Sequence, residues 1–383
     1  MPDAVVIGAG ISGAATAYEL ATAGLSVTLL DRYGPAAMAS GWTLAGVRQS
    51  GRHPAELPLA RAAVTLWGTL HERLDADMRY RRKGNVRLAR TADEVPVIER
   101  LVAEQSAAGL DVVLLRGGAV QDVAPAVSRD VLAACYCASD GHADPHRAVQ
   151  AFVDAAIRAG ANTRFGEQAL AIEVEAGRVV GVRTDRGRIP AAHVVLAAGL
   201  FGNALLERLG AAVPLDVQMV AAMRSVPLPA VLDQVVGVAN ADCAGRQEAD
   251  GRFRATGGLR PWHGRMERGD RPAVHPDAAS LGEIAARFGA AVPAFCSAPI
   301  EAVWAGLIDL TPDALPVLDR VPGADGLVVA MGFSGHGFGL GPVTGRIVAA
   351  LVHGDAPAFD MAPFRLGRFA GWNRAPEPVT LHG

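Results

Sequence analysis

Short apolar runs and helical-period segments alternate at both ends of the chain, with a less regular stretch between them. Residues 4 to 7, AVVI, are continuous apolar positions of the kind that form a strand buried on both faces. GAGISG follows, and then AATAYELATAG, Ala-rich and apolar at helical spacing; LSVTLLDR reads as a second strand ending at Asp31. In SDGHADPHRAVQAFVDAAIRAG, Asp144 has the position of an N-cap, Pro145 that of the first helical residue and Gly160 that of the stop. The segment from ALAIEVE to HVVLAAG predicts strands joined by the turns EAGR and DRGR, closing on the small residues Ala197, Ala198 and Gly199. Between about 213 and 300, VQMVAAMRSV, VVGVAN and GRFRATGG predict strands of an antiparallel sheet, and ASLGEIAARFG a helix with Gly289 after it. GLVVAMGF then predicts a strand ending at Gly332, and PVTGRIVAALVHG a helix with Pro342 at its start and Gly354 near its stop.

This order of elements predicts an α/β (α+β) chain in which a Rossmann-like cofactor lobe (1–78, 139–212 and 300–383) is interleaved with an antiparallel-sheet substrate lobe (79–138 and 213–299). A length of 383 residues fits two such lobes. With 36 basic against 39 acidic residues, the formal charge of −3 provides no excess positive field, so nucleic-acid binding is excluded as a function class. The four cysteines form no disulfide framework, and no apolar run reaches the roughly 18 residues of a membrane span. These features predict a cytoplasmic protein. Its only lysine is Lys83, so positive charge at a reaction centre must come from arginine, histidine or a helix N-terminus.

The first strand, GAGISG and the following helix together make a dinucleotide fingerprint. Gly8 permits the tight turn, Gly10 lets a pyrophosphate approach the backbone, and Gly13 lets helix and strand pack closely. Asp31, at the expected spacing of roughly twenty residues, can accept from a ribose hydroxyl and would repel a 2′-phosphate, which disfavours NADP against FAD or NAD. The glycine-rich MGFSGHGFGLGPVTG, residues 331 to 345, forms a second strand-to-helix turn far from the first. Its N–H groups can face the pyrimidine end of a flavin, and only the longer cofactor reaches both turns, which favours FAD. His142, Asp144 and His146 do not complete a metal shell, since an N-cap role accounts for Asp144, so no metal site is assigned. GFSGHG lacks the final glycine of a nucleophile elbow, which argues against a hydrolase.

Four blocks carry a resemblance to a known family: VVIGAGISGAATAYELATAGLSVTLLDR, ASGWTLAGVRQSGRHPAELPL, ADPHRAVQAFVDAAIRAGA through VVLAAG, and WAGLIDLTPDALPVLD with GFSGHGFGLGPVTG. In these the chain resembles the FAD-dependent amine and amino-acid oxidoreductases of the D-amino-acid oxidase / sarcosine oxidase superfamily, particularly those like the sarcosine oxidase β-subunit. The resemblance implies cofactor contacts at Gly8, Gly10, Ile11, Ser12, Gly13, Asp31 and Arg32, then Ser40, Gly46 and Val47 along the flavin. It further implies contacts at Ala169 near the adenine, at Ala198 and Gly199, and at Gly335, His336, Gly337, Phe338 and Gly339 by the ring. Arg48 is the candidate clamp for a substrate carboxylate, because its planar fork matches that group; Trp304 or Trp262 walls the pocket, His336 tunes the flavin, and Arg254 completes the catalytic candidates.

The implied reaction is oxidation of the C–N bond of a secondary amine or amino acid (N-alkyl, cyclic imino or D-configured) to an imine that water hydrolyses, with oxygen or an electron-acceptor protein as second partner. It leaves open a homo- or hetero-oligomer. Gly306 stands where monomeric sarcosine oxidases carry the cysteine bonded to flavin, so non-covalent FAD is expected. Gly339 stands where they carry a lysine after SGHGF, which favours a dehydrogenase over an oxidase. The rival readings are an NAD-dependent dehydrogenase and a flavin-binding subunit or regulator with little turnover of its own.

Overall fold

Two sheets organise the molecule, as seen in the computed structural model, which describes residues 1–372. The smaller has six strands in the order Val317–Arg320, Leu327–Met331, His193–Leu196, Ala4–Ile7, Val27–Asp31, Asn162–Phe165. Every pair in it is parallel except the edge pair Val317–Arg320 with Leu327–Met331. The parallel strands therefore end on one side, at Gly8, Asp31, Ala197 and Gly332, and in such sheets ligands lie across that edge. The central strands are uniformly apolar because both faces are covered: by the helices Ile11–Thr22, Pro145–Arg158 and Gly337–His353 on one side, and by a three-stranded meander spanning 169–190 on the other.

The larger sheet has nine strands, all paired antiparallel except Asn85–Ala89 with Val235–Val238. The predicted strands at 216–227, 235–238 and 252–257 all belong to it. Its longest pairing joins Asp216–Pro227 to Ile300–Leu310. Ile300–Leu310, which the sequence reading placed with the cofactor lobe, is thus a strand of the larger sheet. Residues from 373 on in the 300–383 stretch lie outside the described residues. Among the described residues no helix is long and apolar enough to cross a membrane.

Two helix boundaries differ from the sequence reading. The last long helix begins at Gly337, so Pro342 lies inside it and not at its start. The extra turn is held by packing: Phe338 lies 5.3 Å from the Trp67 ring, and Trp67 Nε1 donates to the Gly339 carbonyl at 2.8 Å. Gly289 lies inside the helix Ala278–Ala291 and does not follow it; a Cβ at Gly289 would press on Cys296 Sγ. By contrast, Asp144 caps Pro145–Arg158 through Arg147 N–H at 3.0 Å, and Gly354 closes the last long helix with φ +88°.

Candidate active site

Between the sheets lies a cavity of about 500 Å³, running from the ends of the parallel strands to the face of the larger sheet. At one end Gly8 turns with φ +109°, and a Cβ there would collide with the Ala197 carbonyl. A Cβ at Gly13 would overlap the Gly8 carbonyl, so the helix Ile11–Thr22 aims its N-terminus straight at the cavity. Ser40 Oγ accepts from Ile11 N–H at 3.0 Å, which leaves the hydroxyl proton to face an anion and extends the helix dipole. The Asp31 carboxylate accepts from Ala9, Tyr33 and Gly34 N–H at 2.8, 2.7 and 2.8 Å. Burial pushes its carboxyl up against the pull of these donors. Arg32 stacks 4.8 Å from the Phe201 ring, and both line the same end.

At the other end a group of buried charges is assembled from three separate elements. Arg48 and Arg52 follow the short strand Gly46–Val47, and Arg87 lies on Asn85–Ala89; all three line the cavity. Burial lowers the pKa of each; repulsion from Arg52 adds to the shift of Arg48, which falls well below its usual value, and of Arg87, which falls to about 10, whereas Glu56 and Asp140 oppose the shift of Arg52. Asp140, with no exposed surface, holds the loop that carries Arg48. It accepts from Gln49 N–H at 2.8 Å and from Ser50 Oγ at 2.5 Å, while Arg48 Nη1 donates to the Ser50 carbonyl at 2.6 Å. Glu56, also fully buried, lies 3.6 Å from Arg52 and 3.2 Å from His336 Nδ1. Burial and the adjacent Arg52 push His336 down to about 4, so it is neutral at pH 7. Burial works against the Glu56 charge, but His336 and Arg52 outweigh it and the carboxyl titrates below its ordinary value. With His336 neutral, the electrostatic hold on Glu56 comes from Arg52.

The family model described as FAD dependent oxidoreductase (DAO) matches residues 3–351. The chain belongs to the DAO family of FAD-dependent oxidoreductases. It is 27% identical to the sarcosine oxidase subunit beta of an Arthrobacter species, over 96% of this chain and 91% of that protein. It is also 27% identical to the 4-methylaminobutanoate oxidase (formaldehyde-forming) of Paenarthrobacter nicotinovorans, again over 96% of this chain but only 45% of that longer protein. The crystal structure of glycine oxidase from Geobacillus kaustophilus superposes with a TM-score of 0.88 at 26% identity, covering 96% of this chain and 98% of that one.

The residues of this DAO-family chain fit FAD. A crowded glycine turn, a helix N-terminus and an acid stand at one end of a continuous cavity, and a second helix N-terminus, at Gly337, stands on its wall. Of the residues expected to touch the cofactor, Gly8, Gly10, Ile11, Ser12, Asp31, Arg32, Ser40, Gly46, Ala169, Ala198, Gly199, Gly335, Gly337 and Phe338 line that cavity. Gly13, Val47, His336 and Gly339 stand just behind the wall: Val47 pairs with Gly141, and a Cβ at Gly339 would meet the Gly46 carbonyl at 3.1 Å. Trp304 and Arg254 are not on the wall. Trp304 Nε1 donates to the Trp42 carbonyl at 2.9 Å, and Arg254, paired with Glu248 at 2.6 Å, donates to the Thr43 carbonyl at 3.0 Å. They brace from outside a segment whose Trp42 does face the cavity.

Sequence reasoning missed Arg52, Glu56, Asn85, Arg87, Asp140 and Asp309. One signal was available: in NVRLA, Asn85 and Arg87 alternate with the apolar Val86 and Leu88, so a buried strand shows two polar side chains on one face. His142, set aside as a metal ligand, has Nδ1 2.6 Å from Arg246 Nη1.

Proposed function

We propose that the protein oxidises the carbon–nitrogen bond of a small amino acid, N-alkyl, cyclic imino or D-configured, to an imine that water hydrolyses. When bound, FAD supplies the hydride acceptor. The observation that carries this reading is the convergence of Arg48, Arg52 and Arg87 on the cavity that Gly335, Gly337 and Phe338 also line. Guanidiniums this close repel one another, and an arriving carboxylate relieves that repulsion while matching the Arg forks. The same positive field disfavours an ammonium beside it, so the amine is held in its neutral, reactive form. Val220, Ala222, Val235, Val236 and Ala244 form an apolar wall that excludes water. The helix N-terminus at Gly337 would supply partial positive charge to a bound flavin as reduction adds negative charge to it.

The cofactor is held without a covalent bond. Gly306 lines the cavity, and of the four cysteines three are buried elsewhere and Cys296 is exposed. Lys83 is exposed and off the cavity wall, which supports delivery of electrons to an acceptor protein over direct reaction with oxygen. The test is anaerobic mixing of the yellow protein with N-alkyl and D-amino acids and with their carboxamides. Bleaching of the flavin by the acids but not by the carboxamides is expected. Equal bleaching by both would remove the carboxylate clamp from the reading.

A further inference from the structure

Asp309 lines the cavity with no cation paired to it among the described residues. It is the last residue but one of Ile300–Leu310, and it faces the cavity beside Gly306, Leu307 and Ile308. Its Oδ2 accepts from Gly332 N–H at 3.2 Å. Besides Gly332 only Asp309's own N–H acts on the carboxylate, and no cation pairs with it among the described residues, so lone pairs remain for whatever fills the cavity. Burial lifts the carboxyl to about 6, and no neighbouring charge offsets this. A carboxylate kept in such a position without a cation is costly unless a ligand donor satisfies it.

Its place in the sheet identifies that donor. Gly332 follows Leu327–Met331, which is two strands from Ala4–Ile7 in the order of the smaller sheet. At the usual strand spacing Asp309 is therefore offset by about 10 Å from the Gly8 turn that takes the pyrophosphate. It is also locked to the second turn: its carbonyl accepts from Ser334 N–H at 3.3 Å, and Ser334, with φ +52°, is held by Thr311 N–H donating to its Oγ at 3.1 Å. A dinucleotide whose pyrophosphate lies at Gly8 and whose ring lies by Gly335 to Phe338 must carry its hydroxylated linker across this interval. We infer that the Asp309 carboxylate accepts a hydrogen bond from a hydroxyl of the polyol chain of FAD, fixing the distance between the two ends of the cofactor site. Asp309 is thus a cofactor-holding residue, and this role is independent of which amine is oxidised.

The experiment is a binding cycle on flavin-depleted protein, read by quenching of tryptophan fluorescence, with FAD and its 2′-, 3′- and 4′-deoxyribityl analogues as probes. One analogue is expected to bind the wild type about ten- to a hundredfold more weakly than FAD, the range of a hydrogen bond to a charged group. Asp309→Ala should weaken FAD by a similar factor, and the same analogue should then lose nothing further. Asp309→Asn keeps the shape and an acceptor for Gly332 N–H. At pH 7, where the wild-type carboxylate is buried and charged, it should unfold no lower than the wild type, while the hydroxyl's advantage falls by roughly a factor of ten. Wild-type FAD affinity in Asp309→Ala overturns the proposal. So do penalties that multiply for all three analogues, or an Asp309→Asn protein in which the hydroxyl's full advantage remains.

Discussion

Arg48 and Arg87 come from positions far apart in the chain and reach one cavity. If they clamp a substrate carboxylate, Arg48→Ala and Arg87→Met should each raise KM for an amino acid by roughly thirtyfold or more, the cost of removing one side of a buried charge contact. Turnover of a neutral amine should change little; steady-state kinetics on the acid and its carboxamide check this. His336 and Asp309 titrate in opposite senses. The folded-state pKa of His336, about 4, lies below the ordinary 6.5, so the unfolded chain binds its proton first and stability falls as pH drops through that window. Asp309, raised from 3.8 to about 6, binds its proton first in the folded state, so its contribution falls as pH rises through the same window. His336→Asn should therefore reduce the loss of thermal stability between about pH 7 and about pH 5, and Asp309→Asn should increase it, as unfolding midpoints at the two pH values will show. At this scale the fingerprint glycines, Asp31 and Arg48 were legible because short-range backbone geometry or one local segment dictates them. Arg87 and Asp309 were not, because each joins the site only through strand pairing, and Asp140 was not, because it is a turn residue that reaches the site through hydrogen bonds to Gln49 and Ser50, remote in the chain.

The glycine-rich stretch before the last long helix serves two purposes. Gly335 and Gly337 open the turn to the cavity, whereas Gly341 and Gly345 let this helix cross Ile11–Thr22 at close range. A Cβ at Gly345 would lie 2.7 Å from the Ala15 backbone, so Gly345→Ala should destabilise the protein by about 1–3 kcal/mol through overpacking, read as a lower midpoint in urea. The sequence reading assigned Gly335, Gly337 and Gly339 to the flavin and gave Gly341 and Gly345 no separate role, since spacing alone does not separate a ligand-facing glycine from one facing a helix. For the same reason it began the helix at Pro342; the contacts of Phe338 and Trp67 extend it by more than a turn, a tertiary gain that outweighs the one hydrogen bond proline removes. Asp140 shows an element held from outside. Asp140→Ala should free the 49–50 loop and raise KM for acids at least tenfold while flavin absorbance stays intact, a split that kinetics and a visible spectrum resolve.

Across the whole molecule the cavity is the space between two sheets, and its ends are built by different lobes. Arg246 ties them together: fully buried, it donates from Nε to the Leu44 carbonyl at 2.6 Å and from Nη2 to the Ala143 carbonyl at 3.1 Å. A ligand spanning such a cavity stabilises the folded state by mass action, so adding FAD to flavin-depleted protein at about a hundred times Kd should contribute about 2.7 kcal/mol, visible as a rise in unfolding midpoint. NAD at the same concentration should give little. By itself the sequence determined the dinucleotide fingerprint, the alternation of strand and helix, the capped middle helix and the family, because these rest on contacts between near neighbours and on the residues that tight turns demand. Only the tertiary structure decided that Ile300–Leu310 belongs to the larger sheet, that Trp304 and Arg254 stand behind the wall, and that three arginines share one cavity with Asp309. Those facts depend on pairings between residues remote in the chain, for which side-chain periodicity specifies a face but not a partner.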